Sequence, residues 1–364
     1  MELDQLRERL TQIDKELLAL VAERDQLSHR IAEVKRREGR ATRDFVREKT
    51  VLQGARQRAR ELGLSPTLAE RLVRELIEAS LTSQEAYRLT REGRGGGRRA
   101  LVIGGAGKMG RWFAEFLASQ AFEVEIADPT GEVPGYPCRA QWRELTLDHD
   151  VVVIATPMQV ANEVLLAMAD APPPGLVLDI GSLKAPLREG LQRAAEAGVR
   201  VASIHPMFGP DAQLLSGRHV IFVDTGVAEA TRAARELFDS TMARQVEMSL
   251  DDHDRLIAFV LGLSHALNIV FIAALAESHE NVPRLQEMSS STFDAQLGVS
   301  ARVAQDNPHM YFEIQSLNDH NEQALAALEG ALGRLTSAVR GGHEGDFVAM
   351  MRQGRDYFSA LERP

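Results

Sequence analysis

Three groups of residues in this 364-residue chain have the types and spacing to do chemistry. The first is Gly105-Ala106-Gly107-Lys108-Met109-Gly110, a GxGxxG between the apolar run ALVI and the helical pattern RWFAEFLASQ. Such glycines permit a tight turn, let backbone approach a pyrophosphate and place the phosphate at a helix N-terminus. The next strand, VEIAD, ends in Asp128, 23 residues after Gly105, where a ribose-binding carboxylate belongs. That carboxylate favours NAD over NADP, and no arginine in DPTGEV reverses the preference. Thr156-Pro157 after VVVIA and Gly181-Ser182 after LVLDI fall at further strand ends, where open parallel sheets bind ligands.

The second group is basic. Apolar residues at 3, 6, 10, 13, 17, 20, 27, 31 and 34 step by threes and fours as in a coiled-coil seam, and Arg24 breaks the series. A charge in an apolar seam either snorkels to solvent or meets an anion. Lys35 lies 11 residues on, in nearly the same direction and about 16 Å along the axis, so both side chains can clasp one small ligand. Arg7 precedes Arg24 by about 26 Å of helix and points roughly 100° away, so a site using all three needs a second chain. Asp44, Arg47 and Glu48 share a face of the next helix, and Ser80 and Gln84 share one on the third. The third group centres on His205, at the exit of the strand VASI, a position that suits either a structural histidine or a proton acceptor.

These residues need three kinds of scaffold. Residues 1–93 read as three helices, the second ending at Gly63 and the third starting at the Ser65-Pro66 cap signal. TREGRGGGRR has no apolar residue to anchor it, and 94–99 is expected to be a flexible linker. From Ala100 to about 249, short β-branched runs alternate with helical segments, the pattern of a parallel Rossmann sheet with crossover helices. Residues 250–364 show helical patterns only, so the fold class is multidomain: all-α, then α/β, then all-α.

Composition excludes several classes of function. The net charge of −10 is uneven, with 19 Lys/Arg against 17 Asp/Glu in residues 1–93 and 20 against 35 in residues 100–364. No interleaved basic and aromatic pattern supports nucleic acid. A single cysteine, Cys138, excludes an internal disulfide framework and a cysteine-based zinc cluster, and no metal site is expected. MELDQLRERL lacks a signal-peptide run, so a cytoplasmic location is expected. The apolar run 256–276 is long enough to span a bilayer but carries Ser264, His265 and Asn268 at its centre. It reads as a buried helix in a subunit interface, with a membrane span as the alternative.

Arg7, Arg24, Lys35, Asp44, Arg47, Glu48, Ser80 and Gln84 resemble, in order and spacing, the active-site set of the all-helical bacterial chorismate mutases. The resemblance implies an intertwined homodimer that rearranges chorismate to prephenate, with Arg7 supplied by the partner chain. It implies that Arg7, Arg24 and Arg47 bind carboxylates, Lys35 and Gln84 face the ether oxygen, and Glu48 holds a hydroxyl. Asp44 and Ser80 would orient their neighbours.

Downstream, GSLKAPL (181–187), HPMFGP (205–210) and the dinucleotide loop resemble prephenate dehydrogenases over residues 100 to about 330. The resemblance makes His205 the acceptor of the ring-hydroxyl proton, with Ser182 and Lys184 beside it and His265 and Arg302 contacting substrate. NAD is the implied cofactor and tyrosine an implied feedback inhibitor. The chain departs from some relatives at Gly262, where they carry a histidine, which leaves side-chain discrimination and tyrosine sensing open. A β-hydroxyacid dehydrogenase would need a lysine in its helical domain, and this chain has none after Lys184. The remaining alternatives are a non-catalytic N-terminal dimerisation or regulatory module and a preference for arogenate.

Overall fold

The computed structural model describes residues 2–359. Helix α1 (Glu2–Arg37) has Glu2 and Asp4 in its first turn and Lys35, Arg36 and Arg37 in its last, each sign opposing the adjacent end of the helix dipole. In α2 (Phe45–Glu61) the Asp44 side chain caps the N-terminus by accepting from Arg47 N. Gly63, at φ +69°, turns the chain into α3 (Pro66–Glu92), which Ser65 caps and Pro66 opens. Helix α3 packs against both α1 and α2. The α1 seam nonetheless faces outward within one chain: Leu10 is 62% and Leu20 61% exposed.

The segment joining α3 to the sheet is docked, which corrects the expectation of a flexible linker. Gly95 N and Gly97 N donate to the carbonyls of Gln120 and Ala121 at 2.8 and 2.9 Å. A Cβ on Gly95 would lie 2.2 Å from the Ala121 carbonyl carbon, so the glycine is needed for contact between two backbones. The anchor is main chain, which no search for apolar residues detects.

The sheet domain runs β1 (Arg99–Ile103), α4 (Lys108–Ser119), β2 (Glu123–Ala127), β3 (Cys138–Arg139), β4 (Val151–Ile154), α5 (Met158–Asp170), β5 (Leu176–Asp179) and α6 (Arg188–Glu196). It continues through β6 (Arg200–Pro206), β7 (His219–Val223), α7 (Ala228–Glu236) and β8 (Arg244–Met248). The order is β3-β2-β1-β4-β5-β6-β7-β8. All neighbours are parallel except β6 and β7, which departs from the expected wholly parallel sheet. No helix lies between those two strands, and a parallel return requires a crossover. Strands β1, β4 and β5 are buried almost throughout, with Phe113, Phe116 and Leu117 of α4 packed over them.

Helices α1–α3 and the sheet domain form one compact unit, and residues 183–186 with the described residues from 250 onward form a second. The second contains α8 (Leu250–Ile257), a π-helical turn (Ala258–Leu263) and α9 (Ser264–Glu277). Then follow α10 (Val282–Glu287), α11 (Ser291–Gln305), α12 (Pro308–Ser316), α13 (Asn321–Gly341) and α14 (Glu344–Ser359). The expected buried helix is mostly exposed within one chain: only 28% of its most apolar window is covered. Gly262 sits against Asn321, whose Oδ1 would lie 2.2 Å from a Cβ there. The Asn321 amide occupies the space a side chain at 262 would take, and is held by the carbonyls of Ile314 and Gln315 at 2.8 and 3.0 Å.

Candidate active sites

Seven of the eight helical residues meet around one cavity of about 220 Å³. Arg24 and Lys35 come from α1, Asp44 from the α2 cap, Arg47 and Glu48 from its first turn, and Ser80 and Gln84 from α3. Arg24 donates to Ser80 Oγ and to the Leu76 carbonyl, and Ser80 Oγ is also 2.9 Å from Ser28 Oγ. Arg24 therefore does not snorkel: its guanidinium is fixed against α3. Lys35 Nζ donates to the Thr42 carbonyl. Burial lowers the Arg24 guanidinium, with Asp25 opposing it. Burial likewise lowers the Lys35 ammonium, against the pull of Asp44 and Glu48. The Gln84 side chain is buried and its Oε1 has no partner among the described residues.

The cavity holds three cations and two carboxylates, and one carboxylate is already matched outside it. Arg43, which does not line the cavity, grips Glu48 through Nε and Nη2 at 2.9 Å each. This leaves a positive field suited to a small dianion. Arg7 lies outside the cavity, its exposed guanidinium 3.6 Å from Asp4. Ser28, Thr42 and Arg43 were not picked out by sequence. Arg43 sits before the α2 cap, outside the helical periodicity that revealed the others.

The dinucleotide loop connects β1 to α4. Its tight turn falls on Gly104, at φ +85°, one residue before the motif's first glycine and so missed by it. A Cβ on Gly110 would meet Gly104 O at 2.2 Å, and one on Gly105 would meet the Ile126 side chain at 2.6 Å. Gly107 has only Gly104 O at 3.3 Å and caps α4 without a side chain, leaving room for a ligand at the helix start. Lys108 opens the helix, and Met109 packs on the core. Asp128 Oδ2 accepts from Ala106 N at 3.0 Å, and its Oδ1 accepts from Thr130 N at 2.9 Å, so one carboxylate ties the loop to the end of β2.

Parallel strands carry the other sheet residues to one edge. The loops after β2, β1, β4 and β5 and the last residues of β6 follow in spatial order, bringing Asp128, the glycines, Thr156-Pro157, Ser182 and His205 to the carboxyl side of the sheet. The Thr156 Oγ1 is buried without a partner among the described residues. His205 is buried and pairs across the ladder with Ile221.

In the helical unit, His265 stacks obliquely on Tyr311 with ring centroids 4.4 Å apart, and its Nδ1 is buried without a partner among the described residues. Burial pushes its pKa down, opposed by Asp306. Arg302 is exposed in the last turn of α11. Lys184 is wholly buried, and its backbone N donates to the Asp254 carboxylate at 3.0 Å. Burial pushes Asp254 up, but hydrogen bonds from His253, Ala185 and Lys184 outweigh it and hold the carboxyl below the ordinary range.

A doubly wound sheet with a glycine loop, followed by a helical unit and preceded by a cationic helical cavity, defines a dinucleotide-dependent dehydrogenase fused to a helical module. Residues 6–85 match the family model for chorismate mutase type II. Residues 136–247 match that for the prephenate dehydrogenase nucleotide-binding domain, and 249–353 that for its dimerization domain. The T-protein of Enterobacter agglomerans is 28% identical over 98% of this chain and 93% of its own. The 4-amino-4-deoxyprephenate dehydrogenase of Streptomyces pristinaespiralis is 33% identical over 73% of this chain and 94% of its own. The fold is that of the A. aeolicus prephenate dehydrogenase structure, with TM-score 0.57 and 18% identity over 72% of this chain and 98% of that one. The chain belongs to the prephenate dehydrogenase family and carries a type II chorismate mutase domain in front: it is a bifunctional enzyme of tyrosine biosynthesis.

Proposed function

We propose that the N-terminal cavity rearranges chorismate and that the sheet and helical domains carry out the oxidative decarboxylation of the prephenate it releases, giving 4-hydroxyphenylpyruvate and carbon dioxide. The observation that carries this reading is the convergence of seven residues spread over 60 positions of sequence on one cationic cavity. The rearrangement needs no acid, base or covalent intermediate, so catalysis lies in holding the folded conformer and stabilising charge on the breaking ether oxygen. Arg24 and Arg47 bind carboxylates, Lys35 and Gln84 donate to the ether oxygen, Glu48 accepts from the hydroxyl, and Asp44 and Ser80 keep Arg47 and Arg24 in place. Arg7 completes the partner's cavity, which requires a homodimer. The outward seam of α1 and the uncovered α8–α9 segment support one.

The open Gly107 and the uncapped α4 start fit a pyrophosphate, and Asp128 fits a ribose diol. Arg139, on the strand beside Asp128, is engaged by Glu125 at 3.3 Å, which favours NAD over a cofactor bearing a 2′-phosphate. NAD held there would supply the hydride acceptor for the ring carbon bearing the hydroxyl, and loss of the ring carboxylate as carbon dioxide would aromatise the ring. His205 accepts the hydroxyl proton, Ser182 orients that exchange, Lys184 assists it, and Arg302 and His265 hold the substrate. The enzyme works in the cytoplasm, and tyrosine is its candidate inhibitor.

The test is to mix the protein with chorismate and NAD, omit prephenate, and follow NADH absorbance. NADH formation supports the two-step reading. NADH from added prephenate but not from chorismate would reduce the N-terminal module to dimerisation, and oxidation of arogenate in preference to prephenate would change the second substrate.

A further inference from the structure

Arg43 is held by three partners. Two of its nitrogens clasp the Glu48 carboxylate at 2.9 Å, its Nη1 donates to Ser216 Oγ at 2.6 Å, and its guanidinium lies 4.6 Å from the centre of the Phe45 ring. Ser216 is 173 residues away, in the loop between β6 and β7 that begins directly after His205-Pro206. That loop is itself fixed. Trp112 Nε1 of α4 donates to the Ala212 carbonyl at 2.9 Å, and Leu215 N donates to the buried Glu85 carboxylate of α3 at 2.7 Å. Met242 N donates to the other Glu85 oxygen.

We propose that Arg43 is a positioning residue for the mutase reaction, orienting Glu48 toward substrate, and that the dehydrogenase domain holds Arg43 through Ser216. The inference rests on the mutase reading above. Glu48 must present one oxygen to a hydroxyl at a set angle. A planar guanidinium that occupies both carboxylate oxygens fixes the plane of the group, which a lysine ammonium cannot do. Ser216 then fixes the guanidinium, so part of the mutase site is built by a segment of the other enzyme.

The test uses the full chain and assays both reactions separately, chorismate consumption and NADH from added prephenate. Arg43→Ala and Arg43→Lys lower mutase kcat/KM on the order of tenfold to a hundredfold. Ser216→Ala lowers it about two- to tenfold, as expected for one hydrogen bond. Prephenate oxidation stays within twofold of the parent in all three. The decisive readout is a double-mutant cycle: in a Glu48→Gln background, Arg43→Ala costs little further, because Arg43 acts through that carboxylate.

Full additivity with Glu48→Gln overturns the positioning role and makes Arg43 a structural residue. So does equal loss of both activities together with a lowered melting temperature. Mutase activity unchanged in Arg43→Ala removes Arg43 altogether, and unchanged in Ser216→Ala it removes the domain-to-domain part. A parent enzyme that does not consume chorismate overturns the mutase reading and this proposal together, whereas an active parent with unaffected variants overturns this proposal alone.

Discussion

Gly95→Ala separates a docked connection from a flexible one. A Cβ at 95 would lie 2.2 Å from Ala121 C, 2.3 Å from Phe122 N and 2.4 Å from Ala121 O, all main-chain atoms that cannot rotate away. If the segment stays in place, overpacking costs about 1–3 kcal/mol. If it lifts off, it loses the Gly95 and Gly97 hydrogen bonds to Gln120 and Ala121, each worth about 1 kcal/mol. The exposed Arg94 to Asp239 ion pair at 3.1 Å adds little. Overpacking of about 2 kcal/mol in the closed segment raises the opening equilibrium constant, and with it the open population while that stays small, about thirtyfold. Trypsin reads that population at Arg94, Arg98 and Arg99, and the cleavage rate rises by the same factor when opening is fast. Gly96→Asn is the control. Gly96 has φ +56° and no atom within 4 Å of its Cβ position, and asparagine tolerates that backbone. Equal cleavage of Gly95→Ala and parent, or equal acceleration by Gly96→Asn, refutes the docking argument.

Three further outcomes address the chemistry. Arg24→Ala abolishes mutase turnover while prephenate oxidation persists; equal damage to both would mark Arg24 as structural. His205→Asn lowers NADH formation from prephenate by about two orders of magnitude or more with near-parent NAD affinity, and unchanged turnover would remove His205 from the mechanism. Burial lowers Lys35, and its ammonium form is the one that donates, so mutase kcat/KM falls as pH rises through a point below the ordinary lysine range. Lys35→Arg stays charged and should lack that alkaline limb in whatever activity remains, and an identical limb in the variant assigns it to another group.

What the sequence reveals depends on how local the geometry is. The helical site was legible because helix pitch converts the spacing of Arg24 and Lys35 into direction and distance, and because Arg7 fails the same geometric test. The glycine loop and Asp128 were legible because one strand, turn, helix and strand fix their separation. Arg43 was not: its partner Ser216 is 173 positions away, and no periodicity connects a residue before a helix cap to a loop in another domain. The docked connection escaped notice because its contacts are backbone to backbone. The antiparallel β7 escaped because HVIFV reads the same in either direction, and only the helix-free loop before it decides the pairing.

Glu85 shows why the two enzymes share one compact unit. Burial pushes its carboxyl up, while the Leu215 and Met242 amides and Arg88 pull the other way. A carboxylate is costly to bury at this depth unless its oxygens are satisfied, and here both are satisfied by main-chain donors of the dehydrogenase domain. The dependence is mutual, because without Glu85 those two amides lose this acceptor at a cost of about 1–3 kcal/mol each where they are buried. Glu85 also follows Gln84 directly on α3, so the contact that joins the domains fixes the turn of helix carrying a cavity residue. The helical module and the sheet therefore complete one another at positions adjoining the mutase cavity, and the loop that does this starts beside His205.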